Sequence, residues 1–133
     1  MVINRTGGYG FKRPGNWEAG ESGSLTQVIA PIQVGVPRPV IQADVVKSDA
    51  NQFTDLGDLT TGDWDEVTLG NMAALTRTFR SENGLIRSDF KIKKSDGEFY
   101  LITVDFGVAS NNNELYVMIK KSIESFQKIG SEE

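Results

Sequence analysis

Histidine and cysteine are both missing from the 133 residues of this chain. Histidine is the one side chain whose unperturbed pKa lies near neutrality, and the thiolate is the other common nucleophile there. Their joint absence excludes Ser-His and Cys-His catalysis, histidine-ligated zinc and thiol redox chemistry. Long apolar runs are missing too: none approaches the roughly 20 residues that a membrane-spanning helix needs. Excess positive charge is also lacking. The formal net charge of −4 argues against nucleic acid or an anionic lipid surface as the principal partner. Gly7-Gly8-Tyr9-Gly10 is glycine-rich but lacks the G-x-G-x-x-G and P-loop spacings, and no helical pattern opens behind it. Catalysis, a cofactor and a metal ion are therefore not expected.

What is present describes an ordinary globular chain. Hydrophobic residues make up 38% and charged residues 24%, and the length suits a single domain over residues 1–133. Met1 to Thr6 has no apolar core of a secretory signal, whereas strand-like sequence begins at Tyr9. A mature domain freed of a targeting segment is expected ahead of a cytoplasmic protein.

Tyr9 to Arg13 reads as a short strand, Pro14-Gly15-Asn16 as a turn, and Glu18 to Ser24, rich in Gly and Ser, as a loop. Leu25 to Ile32 and Val40 to Val46 read as strands around a connection containing Pro37 and Pro39, which cannot donate to a ladder. Ser48 to Asp65 is acidic and turn-rich, with room for a helical turn at Phe53–Leu56. From Leu69 to Val108 the pattern is a β-meander. A two-residue turn at Asn83-Gly84 predicts that Leu75, Arg77 and Phe79 face Ile92, Phe90 and Ser88. A three-residue loop, Ser95-Asp96-Gly97 with a G1 bulge, pairs Ile92 with Tyr100 and Phe90 with Ile102 and keeps the apolar faces together. Leu115, Met118, Ile119, Ser122, Ile123 and Phe126 recur at helical spacing, with N-cap choices from Ser110 to Asn113 and Gly130 as the C′ residue. The expected class is α+β: an antiparallel meander with a C-terminal helix packed on one face.

Four groups of residues are candidates for function. The acidic segment from Asp55 to Glu66 has enough carboxylates for calcium but no EF-hand spacing, and nothing raises one carboxyl above its partners for acid–base work. Trp64, between two aspartates, is either an exposed interface anchor or folded under its own loop. Lys91 and Lys93 alternate out of their strand beside Lys94. With Lys12 and Arg13 they would form a basic dock for an acidic protein, although outward lysines also serve only to block edge pairing.

Two stretches resemble a known family in order. Tyr9-Gly10-Phe11-Lys12-Arg13-Pro14-Gly15-Asn16-Trp17 resembles the opening strand and turn of the PsbP family, and Phe53-Thr54-Asp55-Leu56-Gly57 is similar to a segment of cyanobacterial PsbP-like proteins. The tail from Val67-Thr68-Leu69-Gly70 to Ser125-Phe126 looks like the family's ending. The resemblance implies an α/β/α sandwich, although the stretch from Leu56 to Val67 is short for the family's second helix. The family's histidines have no counterpart, so no metal site carries over. It further implies a non-enzymatic accessory or assembly protein docked on a membrane protein complex, a photosystem, in the thylakoid lumen. The expected contacts are Lys12, Arg13, Trp64, Lys91, Lys93 and Lys94. The alternative within the superfamily is a DcrB-like lipoprotein domain of the bacterial cell envelope or periplasm, or a chaperone-like module holding an apolar ligand or peptide between sheet and helix. A carboxylate-based hydrolase ranks last.

Overall fold

A computed structural model describes residues 1–31, 38–47, 65–80, 82, 84–95 and 98–129. Alternation of side chains builds one large antiparallel sheet. Its strands are β3 (Glu18–Ser22), β4 (Leu25–Ile29), β5 (Val40–Lys47), β6 (Asp65–Leu69), β7 (Met72–Arg80), β8 (Ile86–Ser95) and β9 (Glu98–Asp105). Their spatial order is β3-β4-β5-β9-β8-β7-β6, so β5 and β9 meet at the centre. A smaller sheet joins β1 (Val2–Asn4), β2 (Tyr9–Phe11) and β10 (Gln127–Lys128), with β2 in the middle. Between β9 and β10 come a 3₁₀ turn, Gly107–Asn111, and the helix α1 (Asn113–Glu124). The class is α+β, mostly antiparallel sheet with one C-terminal helix among the described residues. That helix is not long and apolar enough to cross a membrane.

One face of the large sheet is the core. Val28, Ile41, Ala43, Tyr100, Ile102, Val104 and Ile92 project from four strands and are buried, as are Ile119, Ser122 and Ile123 of α1. Phe126, just beyond the helix, stacks on Tyr9 at 5.4 Å between ring centroids and meets Tyr100 edge-on at 5.2 Å. These rings pack together where β2, β9 and the end of α1 meet. Asn112 caps α1: its side-chain oxygen accepts from the backbone N–H groups of Glu114 and Leu115.

Several expectations are corrected. Glu18 to Ser24 is not a loop: β3 pairs with β4 through a tight turn at Gly23, whose φ is +60°. Two-residue hairpins need such a residue, and glycine takes it without Cβ strain. Strands β1 and β6 were unforeseen. The helix stops at Glu124 instead of running toward Gly130, because Gln127 and Lys128 pair with β2. The β7–β8 register is one residue off: Leu75 faces Lys91, Arg77 faces Asp89 and Phe79 faces Arg87. The slip carries Leu75, Arg77 and Phe79 to the sheet's other face. By contrast β8 and β9 pair Phe90 with Ile102 and Ile92 with Tyr100, and the register shifts between Lys93 and Ser95. The Gly97 bulge residue itself, Trp64, the Phe53–Leu56 turn, Gly130 and most of the acidic segment lie outside the described residues.

Candidate docking surface

The face of the large sheet turned away from α1 carries the charge. Along β8 the odd positions from 87 to 93 are ionic: Arg87, Asp89, Lys91 and Lys93. Even positions Ile86, Ser88 and Ile92 are buried on the core side. Register then brings Arg77 of β7 opposite Asp89 and Thr103 of β9 beside it. Asp89 is 0% exposed and lies between two arginines. Arg77 Nε donates to Asp89 Oδ2 at 3.3 Å, and Arg87 Nε is 3.4 Å from Oδ1 in an ion pair rather than a hydrogen bond. Arg77 is 6% exposed, and its guanidinium carbon sits 5.4 Å from the Phe79 ring centroid. A buried carboxylate is retained only when its charge is compensated this way.

Beside this cluster lies an open groove of ≈ 420 Å³. Ala73, Leu75 and Phe99 supply apolar lining, while Lys91, Lys93, Glu66 and Thr68 supply the polar groups. The Lys91 ammonium stands 5.7 Å from the Phe99 ring centroid. Partial burial, and then the neighbouring Arg77 charge, lower the Lys91 pKa from the usual lysine value. A second depression of ≈ 400 Å³ lies on the same face, lined by Val40, Gln42, Arg87, Leu101, Thr103 and Asp105. Fixed cations over an apolar floor recognise an anionic, partly apolar surface; they do not by themselves make or break bonds. Among the described residues no group of three or more carboxylates is placed to hold a metal ion.

The expected contact residues that are described do not form one patch. Lys91 and Lys93 share the groove. Lys94 lies across the sheet, 5.9 Å from the Tyr100 ring centroid and paired with Glu98 at 3.9 Å. Lys12 and Arg13 follow β2 in the helical layer, where the Lys12 backbone bonds Ser122 and Ser125 of the helix end. The basic dock thus divides between two sides, because Lys91 and Lys94 differ by an odd number of positions. Arg77, Arg87 and Asp89 were missed as site residues. The alternating charge at positions 87, 89, 91 and 93 of β8 was the available signal.

No protein family matches the sequence, and no curated protein does. Solved structures do. LpqN, described as involved in cell envelope biogenesis of Mycobacterium tuberculosis, superposes with a TM-score of 0.57 at 14% identity, covering 92% of this chain and 83% of that one. A crystal structure from Bacteroides thetaiotaomicron gives a TM-score of 0.54 at 12% identity over 95% of this chain. This chain spans 47% of that protein's length. At these identities the likeness is one of fold.

Proposed function

We propose that this chain is a non-enzymatic accessory module of the cell envelope, outside the cytoplasm and peripheral to the membrane, which docks a protein partner on the charged face of its large sheet. The observation that carries this reading is the superposition on LpqN, which extends over most of both chains. It supports the envelope alternative of the PsbP-like resemblance rather than the photosystem reading. The groove at Lys91 and Lys93 is the docking site, and an acidic partner with apolar side chains between its charges is its complement. The packed Tyr9, Tyr100 and Phe126 rings beside the helix end support surface docking over a ligand held inside.

Fractionation of the source organism, with the chromosomal copy tagged, tests the proposal. The protein is expected with the envelope or its soluble extracytoplasmic fraction, bound to a complex that high salt releases. Recovery from the cytosol alone would overturn it.

A further inference from the structure

The β3 edge of the large sheet lies at the opposite side of the strand order from the Lys91 groove. All five residues of β3, Glu18, Ala19, Gly20, Glu21 and Ser22, are exposed. Among the described residues β3 pairs on one side only, with β4. The register with β4 runs unbroken from Glu18↔Ile29 to Ser22↔Leu25. Because Gly23-Ser24 is a two-residue turn, Ser22 and Leu25 form a hydrogen-bonded pair. Counting back by twos, Gly20 and Glu18 also bond β4. Ala19 and Glu21 therefore direct their N–H and C=O groups outward.

Edges are usually blunted by a bulge, a proline or charged side chains, lysine above all. The charge of β3 is of one sign only, on Glu18 and Glu21, which repels an acidic strand but not a cationic one. Neither a bulge, a proline nor a lysine occurs within β3. The strand is instead held at both ends. Trp17, buried at 3% exposure, precedes it, and the turn after it is pinned from three sides. Asn4 Nδ2 donates to the Gly23 carbonyl at 3.1 Å, the Tyr9 hydroxyl to the Ser24 carbonyl at 2.6 Å, and the Ser24 hydroxyl to Asp44 at 2.5 Å. At the centre Gly20 leaves open space where a Cβ would stand, beside a depression of ≈ 210 Å³ shared with Leu25 and Gln27. The charges on the strand are Glu18 and Glu21, one on each face. An incoming strand with acidic side chains meets repulsion on both faces, and a cationic one meets attraction on both.

We propose that β3 is a strand-addition edge that takes an extended, lysine- or arginine-bearing segment of a partner protein, paired through the backbones of Ala19 and Glu21 and selected by Glu18 and Glu21. Preorganisation at both ends of β3 lowers the ordering cost of such pairing.

The test uses the whole chain and two synthetic peptides, acetyl-(Lys-Val)₃-amide and acetyl-(Glu-Val)₃-amide. Amide exchange followed by NMR should show protection of Ala19 and Glu21 with the lysine peptide and none with the glutamate peptide. Ala19→Pro removes one outward N–H without touching the β3–β4 bonds, and should weaken binding at least tenfold with the thermal midpoint nearly unchanged. The double variant E18Q/E21Q, which keeps the backbone intact, should weaken binding severalfold and flatten its salt dependence. Equal binding of both peptides, unaltered binding by either variant, or protection mapping elsewhere overturns the proposal. So does concentration-dependent protection of the same amides without peptide, which would make a second copy the occupant.

Discussion

Tyr9 is fully buried, and its hydroxyl lies 2.6 Å from the Ser24 carbonyl and 2.9 Å from both Thr26 Oγ1 and the Ala43 carbonyl. Burial away from water, joined by the charges of Asp44 and Glu21 and opposed by the Thr26 bond, pushes its pKa up to about 12. Tyr100 is raised in the same direction, by burial first and by Glu98 second. The folded chain keeps the Tyr9 proton to about pH 12, whereas the unfolded chain releases it near 10.0. The associated stability is complete below the lower value and is lost as pH rises through the upper one. On the order of 2–3 kcal/mol is at stake across that window. Tyr9→Phe should cost about 1–2 kcal/mol at pH 7 and then show a shallower alkaline loss by urea denaturation. A parallel loss in both proteins would refute the assignment. Asp89 gives a second test at this scale. Asp89→Asn leaves Arg77 buried without its counter-charge and should cost about 3–5 kcal/mol, whereas replacing both by hydrophobes of similar volume should recover most of it. A urea midpoint for Asp89→Asn close to the wild type would mean that the cluster is solvated.

Hairpin turns show where local sequence and tertiary packing part company. Gly23 and Gly70 both have positive φ, +60° and +64°, at the first position of a two-residue turn. A Cβ on Gly23 meets open space, while one on Gly70 would stand 2.8 Å from the Glu124 carbonyl oxygen at the end of α1. Gly23→Ala should therefore cost about 1–2 kcal/mol for the backbone conformation alone. Gly70→Ala should cost clearly more and loosen the helix end, as thermal unfolding and amide exchange of α1 would show. Asn112→Ala should remove about 1 kcal/mol by uncapping that helix at its other end. The β8–β9 register was legible because Ile92, Tyr100, Ile102 and Val104 leave one way to bury an apolar face. The β7–β8 register was not. Leu75 and Phe79 look like core residues, yet their face also carries Arg77, while the core side of β7 has Met72 and Ala74 followed by Thr76 and Thr78. Hydrophobicity alone chose the wrong side, and a loop longer than Asn83-Gly84 absorbs the extra residues. In β3, Glu-Ala-Gly-Glu-Ser has little strand propensity, so pairing with β4 decides its conformation.

At the scale of the molecule, the two faces of the large sheet differ in character. One is sealed by α1 and the Tyr9–Tyr100–Phe126 rings, and the other presents ordered charge beside two shallow grooves. The sealed face was readable from the apolar stripe of the helix and the meander that it covers. The charged face was only half readable: the lysines were singled out, but their division between two sides follows from strand parity. Placing a photo-reactive residue at Lys93 in the groove, and separately at Val117, 50% exposed on α1, tests the division directly in cells of the source organism. A protein adduct in the envelope fraction is expected from Lys93 and none from Val117. Adducts from Val117 alone would place the partner on the helix and contradict the division.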